Sequence, residues 1–132
     1  MDDSSQLDFD FADLTQEPLR ATASIHKSGK LGFDSDAAEL MDLEKGKLFS
    51  VAIGEGGIRE QLILLPYREE YPEQSKIRTA RAGSYFYLNL RNFFDVNAVP
   101  YEKRKIRYDI DEGESNGRRC FFLNAKEEKP RD

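Results

Sequence analysis

Lys76, Arg78 and Arg81 are interleaved with Ile77 and Thr79 and run directly into SYFYL, where Tyr85 and Tyr87 share one face of an extended stretch and Phe86 takes the other. Cations alternating with aromatic rings on a strand suit a nucleic acid, because lysine and arginine hold phosphates while tyrosine rings stack on bases. Lys103, Arg104, Lys105 and Arg107 form a second basic cluster, which Arg118 and Arg119 extend. The same residues admit a structural assignment, with Phe86, or Tyr85 and Tyr87, filling a core and the bases solvating a strand face.

Other chemistry is poorly supplied. His26 is the only histidine and Cys120 the only cysteine, so neither a metal site nor a nucleophile with its base can be assembled. His26 reads as a surface or strand-packed residue, and Cys120, inside the apolar run CFFL, as a buried inert thiol. The glycines of IGEGGI join two strands and are followed by no Lys-Ser/Thr, so they form a hairpin turn and no phosphate loop. Asp109, Asp111, Glu112 and Glu114 lack the ligand spacing of a calcium loop and read as a solvated turn.

Charge is distributed unevenly along the 132 residues, whose net charge is −5. Residues 1–20 hold six acids against one base; residues 21–73 hold ten against six, and residues 74–132 nine against thirteen. The second half thus carries a local positive field that the overall charge conceals. No stretch is long and apolar enough for a membrane helix, and the acidic MDDSSQLDFDF is unlike a secretory signal, so a cytoplasmic protein with no membrane partner is expected.

The elements that must position the basic and aromatic residues are short. ATASIHKSGK turns at Ser28 and Gly29 into the extended LGF. DSDAAELMDL then reads as a two-turn helix with Ser35 as N-cap and Ala37, Leu40 and Met41 inward. Gly46 stops it, and KLFSVAI (Phe49, Val51 and Ile53 on one face), GEGG and REQLILLP form a hairpin. The order recurs. An offset of 54 brings Gly29 onto Gly83, Phe33 onto Tyr87, Ser35 onto Asn89 and Leu40 onto Phe94, with Leu90, Phe93 and Phe94 as a second helical stripe. After NAVPYEKR the offset becomes 57, and Phe49, Val51 and Ile53 meet Ile106, Tyr108 and Ile110.

Gly29, Leu31, Phe33, Met41, Leu43, Gly46 and Lys47, followed by LFSVAI and LILL, resemble the AbrB/SpoVT swapped-hairpin family, and two such units in tandem look like the MraZ-type arrangement. Asp34, Ala38 and Asp42 stand where that pattern has Pro, the helical Arg and Gly. The resemblance implies interlocked hairpins and DNA-binding transcription regulation. Its basic contacts reduce here to Lys27 and Lys30, which flank the Gly29 turn.

The sequence thus predicts a β-rich α+β protein of two related β-hairpin/short-helix units packed into one compact domain. Residues 1–20 are expected as a disordered acidic tail, 21–70 and 71–126 as the two units, and 127–132 as a fraying charged tail. The expected function is non-enzymatic nucleic-acid binding or transcription regulation through Lys76, Arg78, Arg81, Tyr85, Tyr87, Lys103, Arg104, Lys105 and Arg107, without cofactor, metal or small-molecule substrate. Homo-oligomers are expected. The alternative is a protein-interaction or oligomerisation module that binds no nucleic acid.

Overall fold

The computed structural model describes residues 8–18 and 20–132, so the part of the expected acidic tail at 1–7 and Leu19 lies outside the described residues. Residues 8–18 form no strand or helix. They make one turn, in which the Asp13 carboxylate accepts from the Thr15 amide and hydroxyl, and they leave Phe9, Phe11 and Leu14 exposed.

Alternating apolar residues place nine strands in one antiparallel sheet: β1 (Thr22–Ile25), β2 (Lys30–Phe33), β3 (Leu48–Ile53), β4 (Gln61–Pro66), β5 (Lys76–Arg78), β6 (Ala80–Ala82), β7 (Tyr85–Asn89), β8 (Arg104–Ser115) and β9 (Arg118–Pro130). Their order is β5-β3-β4-β9-β8-β1-β2-β7-β6. The two outermost strands, β5 and β6, are successive in the chain and separated only by Thr79. The chain therefore steps from one margin of the sheet to the other, curling it into a nearly closed barrel. Thr79 is held by its main chain, donating to the Lys47 carbonyl at 2.7 Å and accepting from Gly46 at 2.9 Å.

The inward side chains fill this barrel. Leu31, Leu62, Leu64, Leu88, Ile106, Tyr108, Phe121 and Leu123 are all fully buried, each gaining about 1.5–3 kcal/mol from leaving water. The Tyr108 hydroxyl donates to the Ile58 carbonyl at 2.7 Å, and its burial pushes the phenol well above the ordinary tyrosine range. Two six-residue helices, α1 (Ser35–Leu40) and α2 (Arg91–Val96), cover openings of the barrel through Ala37, Met41 and Phe94. Arg119 ties the β8–β9 hairpin to α1, donating to the Leu40 carbonyl at the helix end and to the carboxylates of Asp42 and Glu112.

The chain's first and second halves are interleaved. β1 pairs with β2 on one side and β8 on the other, and β2 pairs with β7, so residues 22–33 lie between strands from the second half. The turn after β1 also rests on α2. Gly29 has φ +86°, and a Cβ there would stand 2.7 Å from that of Arg91, so both the backbone angle and the close approach call for glycine.

Local expectations fail in three places. The N-cap of α1 is Asp34, not Ser35: its carboxylate accepts from the Ala37 amide at 2.8 Å and also from the Thr22 amide and hydroxyl, which a serine one residue later could not reach together. Asp109, Asp111, Glu112 and Glu114 form no turn: they lie in β8, and the turn falls at Asn116 and Gly117. The carboxyl terminus is not a fraying tail. β9 runs to Pro130 against β8, and Arg131 is anchored beyond it.

Candidate nucleic-acid interface

The outer surface over β8, β1, β2 and β7 is built by cross-strand register. With Ala23, Ile25, Leu31, Leu88, Ile106 and Tyr108 turned inward, the outward residues are Lys105 and Arg107 on β8, Ser24 on β1, Lys30 and Gly32 on β2, and Tyr85 and Tyr87 on β7. One row across the sheet reads Arg107, Ser24, Gly32, Tyr87. The adjacent row joins Lys105 and Lys30 through His26, whose amide takes the Lys30 carbonyl at 2.8 Å.

Gly32 makes this surface possible. A Cβ at this position would fall on the Tyr85 hydroxyl and lie 2.5 Å from His26 Nε2. Without one, the Tyr85 ring crosses β2 and its hydroxyl hydrogen-bonds His26, edge-on to the imidazole. Tyr87 lies parallel to Tyr85 with centroids 6.0 Å apart, and the Lys30 ammonium sits 4.6 Å from the Tyr87 centroid. Burial and the nearby charges of Arg131, Lys105 and Lys30 hold the His26 pKa below the ordinary histidine value. Lys27, Lys30, Lys103, Lys105 and Arg131 have no carboxylate within ion-pair distance among the described residues.

The predicted residues divide. Tyr85, Tyr87, Lys105 and Arg107 share this surface, and Lys30 joins them, with Lys27 in the β1–β2 turn and Lys103 beside Arg131 at the rim. Arg107 is partly engaged, 3.6 Å from Glu127, with its Nε buried and unpartnered. Arg104 points the other way and shares Glu128 with Arg59. Arg81 stacks over Phe86 and donates to the Gly83 carbonyl, off the tyrosine face. Lys76 and Arg78 do not continue into the tyrosines. β5 pairs with β3 and not with β7, and Lys76 is paired with Glu73 at 2.6 Å. Sequence reasoning missed His26, Gly32 and Arg131 as parts of this surface. A glycine inside the strand LGF is the signal that could have found the close approach.

The outer surface over β3, β4 and β5 is different. Leu48, Ser50, Ala52, Ile63 and Leu65 face outward there, and segment 67–75 lies over them. The Tyr67 amide donates to the Leu48 carbonyl, and the Ser75 hydroxyl, which donates to the Pro72 carbonyl at 2.6 Å, accepts from that of buried Ser50 at 3.1 Å. Near the barrel opening, a groove of about 800 Å³ has Val51, Ile53, Ile77 and Phe93 as its apolar wall and Lys76 and Arg91 at its rim. Burial raises the pKa of the Cys120 thiol. Among the described residues no group of three or more His, Cys, Asp or Glu side chains is placed to hold a metal, and no helix is long and apolar enough to cross a membrane.

No protein-family model, no curated protein and no solved structure matches this chain.

Proposed function

We propose that the chain is a pair of related β-β-α-β-β units whose hairpins interlock, and that it binds nucleic acid, as a transcription-regulator-like protein without enzymatic activity, on the surface over β8, β1, β2 and β7. The pairing pattern supports the first part. Exchanging β1 with β5/β6, β2 with β7, β3 with β8 and β4 with β9 leaves the cyclic strand order unchanged: β1–β8 corresponds to β5–β3, while β2–β7 and β4–β9 map onto themselves.

The observation that carries the second part is a group of cations without an ion-pair partner among the described residues, Lys30, Lys105 and Arg131, set around the stacked rings of Tyr85 and Tyr87 on one open sheet surface. Cations that no carboxylate neutralises retain their attraction for phosphates, and rings beside them offer stacking surfaces. Fluorescence anisotropy of labelled single- and double-stranded oligonucleotides tests this at low salt. Binding should weaken with salt by a log-log slope of roughly 0.7 per phosphate on a single strand and 0.9 on a duplex. No binding of either form by the unaltered protein would overturn the reading.

A second reading, self-association, is favoured by the groove at Val51, Ile53 and Phe93. Its apolar wall complements the exposed apolar side chains of Phe9, Phe11 and Leu14. Removal of residues 1–16 would then lower the molecular mass in light scattering and leave oligonucleotide binding in place.

A further inference from the structure

The basic surface is not uniform: next to the tyrosines it dips into a pocket of about 580 Å³ between β1, β2, β7 and the end of the chain. Its walls present His26, Tyr85, Lys105 and Arg131, with the hydroxyls of Ser24 and Ser84 between them. Arg131 is fixed before any ligand arrives. Its Nε donates to the Tyr101 carbonyl and its Nη2 to the Ile25 carbonyl, both at 2.7 Å, and Nη1 has no partner among the described residues. The one carboxylate in the wall, Asp34, accepts from the Thr22 amide, the Thr22 hydroxyl and the Ala37 amide and keeps its charge. The pocket therefore gathers Lys105, Arg131 and the imidazole of His26 against the single carboxylate of Asp34, whose oxygens are occupied by those three donors.

We propose that this pocket receives a phosphomonoester, the phosphorylated end of a nucleic-acid strand whose neighbouring bases lie over Tyr87. The inference rests on the nucleic-acid reading and adds to it a preference for strand ends. An internal phosphodiester carries one negative charge and is matched by a single cation. A terminal monoester carries about 1.5–2 negative charges at neutral pH and three acceptor oxygens, which matches a lysine, a guanidinium edge and hydroxyl donors converging on one spot. The groups facing His26 are Tyr85 from β7, Lys30 from β2, Lys105 from β8 and Arg131 from the chain end, none of them anionic. A bound dianion reverses the local field, so His26 takes up a proton on binding and becomes a further donor.

The test compares one single-stranded 12-mer carrying a 5′-phosphate, a 3′-phosphate or hydroxyls at both ends, by anisotropy with an internal label. Phenyl phosphate is titrated separately while the His26 ring resonances are followed by NMR. A phosphorylated end should tighten binding about tenfold, a preference for either end supporting the proposal, and Lys105→Gln and His26→Gln should each shrink that advantage. Phenyl phosphate should move the His26 resonances toward those of the protonated ring. Equal binding of all three oligonucleotides, or an advantage unchanged in both variants, would overturn the terminal-phosphate inference and leave the broader reading standing. If no oligonucleotide binds but phenyl phosphate still shifts His26, the pocket is an anion site and the nucleic-acid reading falls. If nothing shifts, both fall.

Discussion

The surface over β8, β1 and β2 and the surface over β3, β4 and β5 differ in what their outward positions do. Ser50 and Arg107 stand at matching positions of β3 and β8 by the sequence offset of 57. Ser50 is buried and holds segment 67–75 through Ser75, whereas Arg107 is half-buried on an open surface beside Ser24 and Gly32. Lys76, the cross-strand partner of Ser50, is neutralised by Glu73 and packed over Tyr67. Lys105 and Lys30 have neither a covering segment nor a carboxylate partner among the described residues. The difference teaches that a count of basic residues is a poor guide to an anion surface. What matters is which cations the fold leaves unpaired and uncovered.

The strongest break of this comparison is charge reversal. Lys30→Glu combined with Lys105→Glu should weaken oligonucleotide binding by about 100-fold at low salt, since both lysines are free to meet phosphates. Lys76→Glu combined with Arg78→Glu, on the covered surface, should change it by less than about threefold. Equal losses in the two variants, measured by anisotropy, would erase the distinction between the surfaces.

A glycine pair sharpens it. Gly32→Ala places a methyl group on the Tyr85 hydroxyl, which is wedged against His26. The cost should be about 1–3 kcal/mol, seen as a fall in Tm. Adding Tyr85→Ala should recover much of that loss, because the clash disappears. Gly57→Ala, in the β3–β4 turn, meets no atom within 4 Å but sits at φ +87°, so its smaller cost comes from the backbone and no tyrosine change should recover it.

Ser50→Ala should cost about 1 kcal/mol, because it removes a buried hydrogen bond that holds down the covering segment, and should leave oligonucleotide affinity unchanged. Urea unfolding alongside anisotropy separates the two effects. The smallest effect concerns pH. The folded protein holds the His26 pKa below its unfolded value, so the unfolded chain binds the extra proton first. This contribution to stability is fully present above the unfolded histidine pKa, about 6.5, and is lost as pH falls through the lowered folded value. His26→Gln should flatten this profile.

Much of this was legible in the sequence. The alternation Ile106, Tyr108, Ile110 fixed β8, the stripe Leu90, Phe93, Phe94 fixed α2, and Tyr85 and Tyr87 do lie on one face with Phe86 opposite. The site itself was read along the chain, and there it failed. Lys76 and Arg78 precede the tyrosines by only a few residues, yet on the far side of Thr79 their strand pairs with β3 and not with β7, because alternation reports which face a side chain takes and not which neighbour its strand finds. Lys30 and Arg131 come to Tyr85 only through the β1–β8 and β2–β7 pairings, which join residues far apart in sequence. Asp34 replaced Ser35 as the cap because Thr22, on the neighbouring strand, supplies it with further donors.

The interleaving of β1 and β2 between β7 and β8 bears on how the protein is made. When the first hairpin leaves the ribosome, Ile25 and Leu31 have no lasting partners, since they await Ile106 and Leu88 from a stretch not yet translated. Few contacts can become permanent until nearly the whole chain has emerged, and such delayed, long-range pairing makes folding slow. A nascent chain stalled before β8 would display an unpaired strand edge, and an edge of that kind recruits other chains.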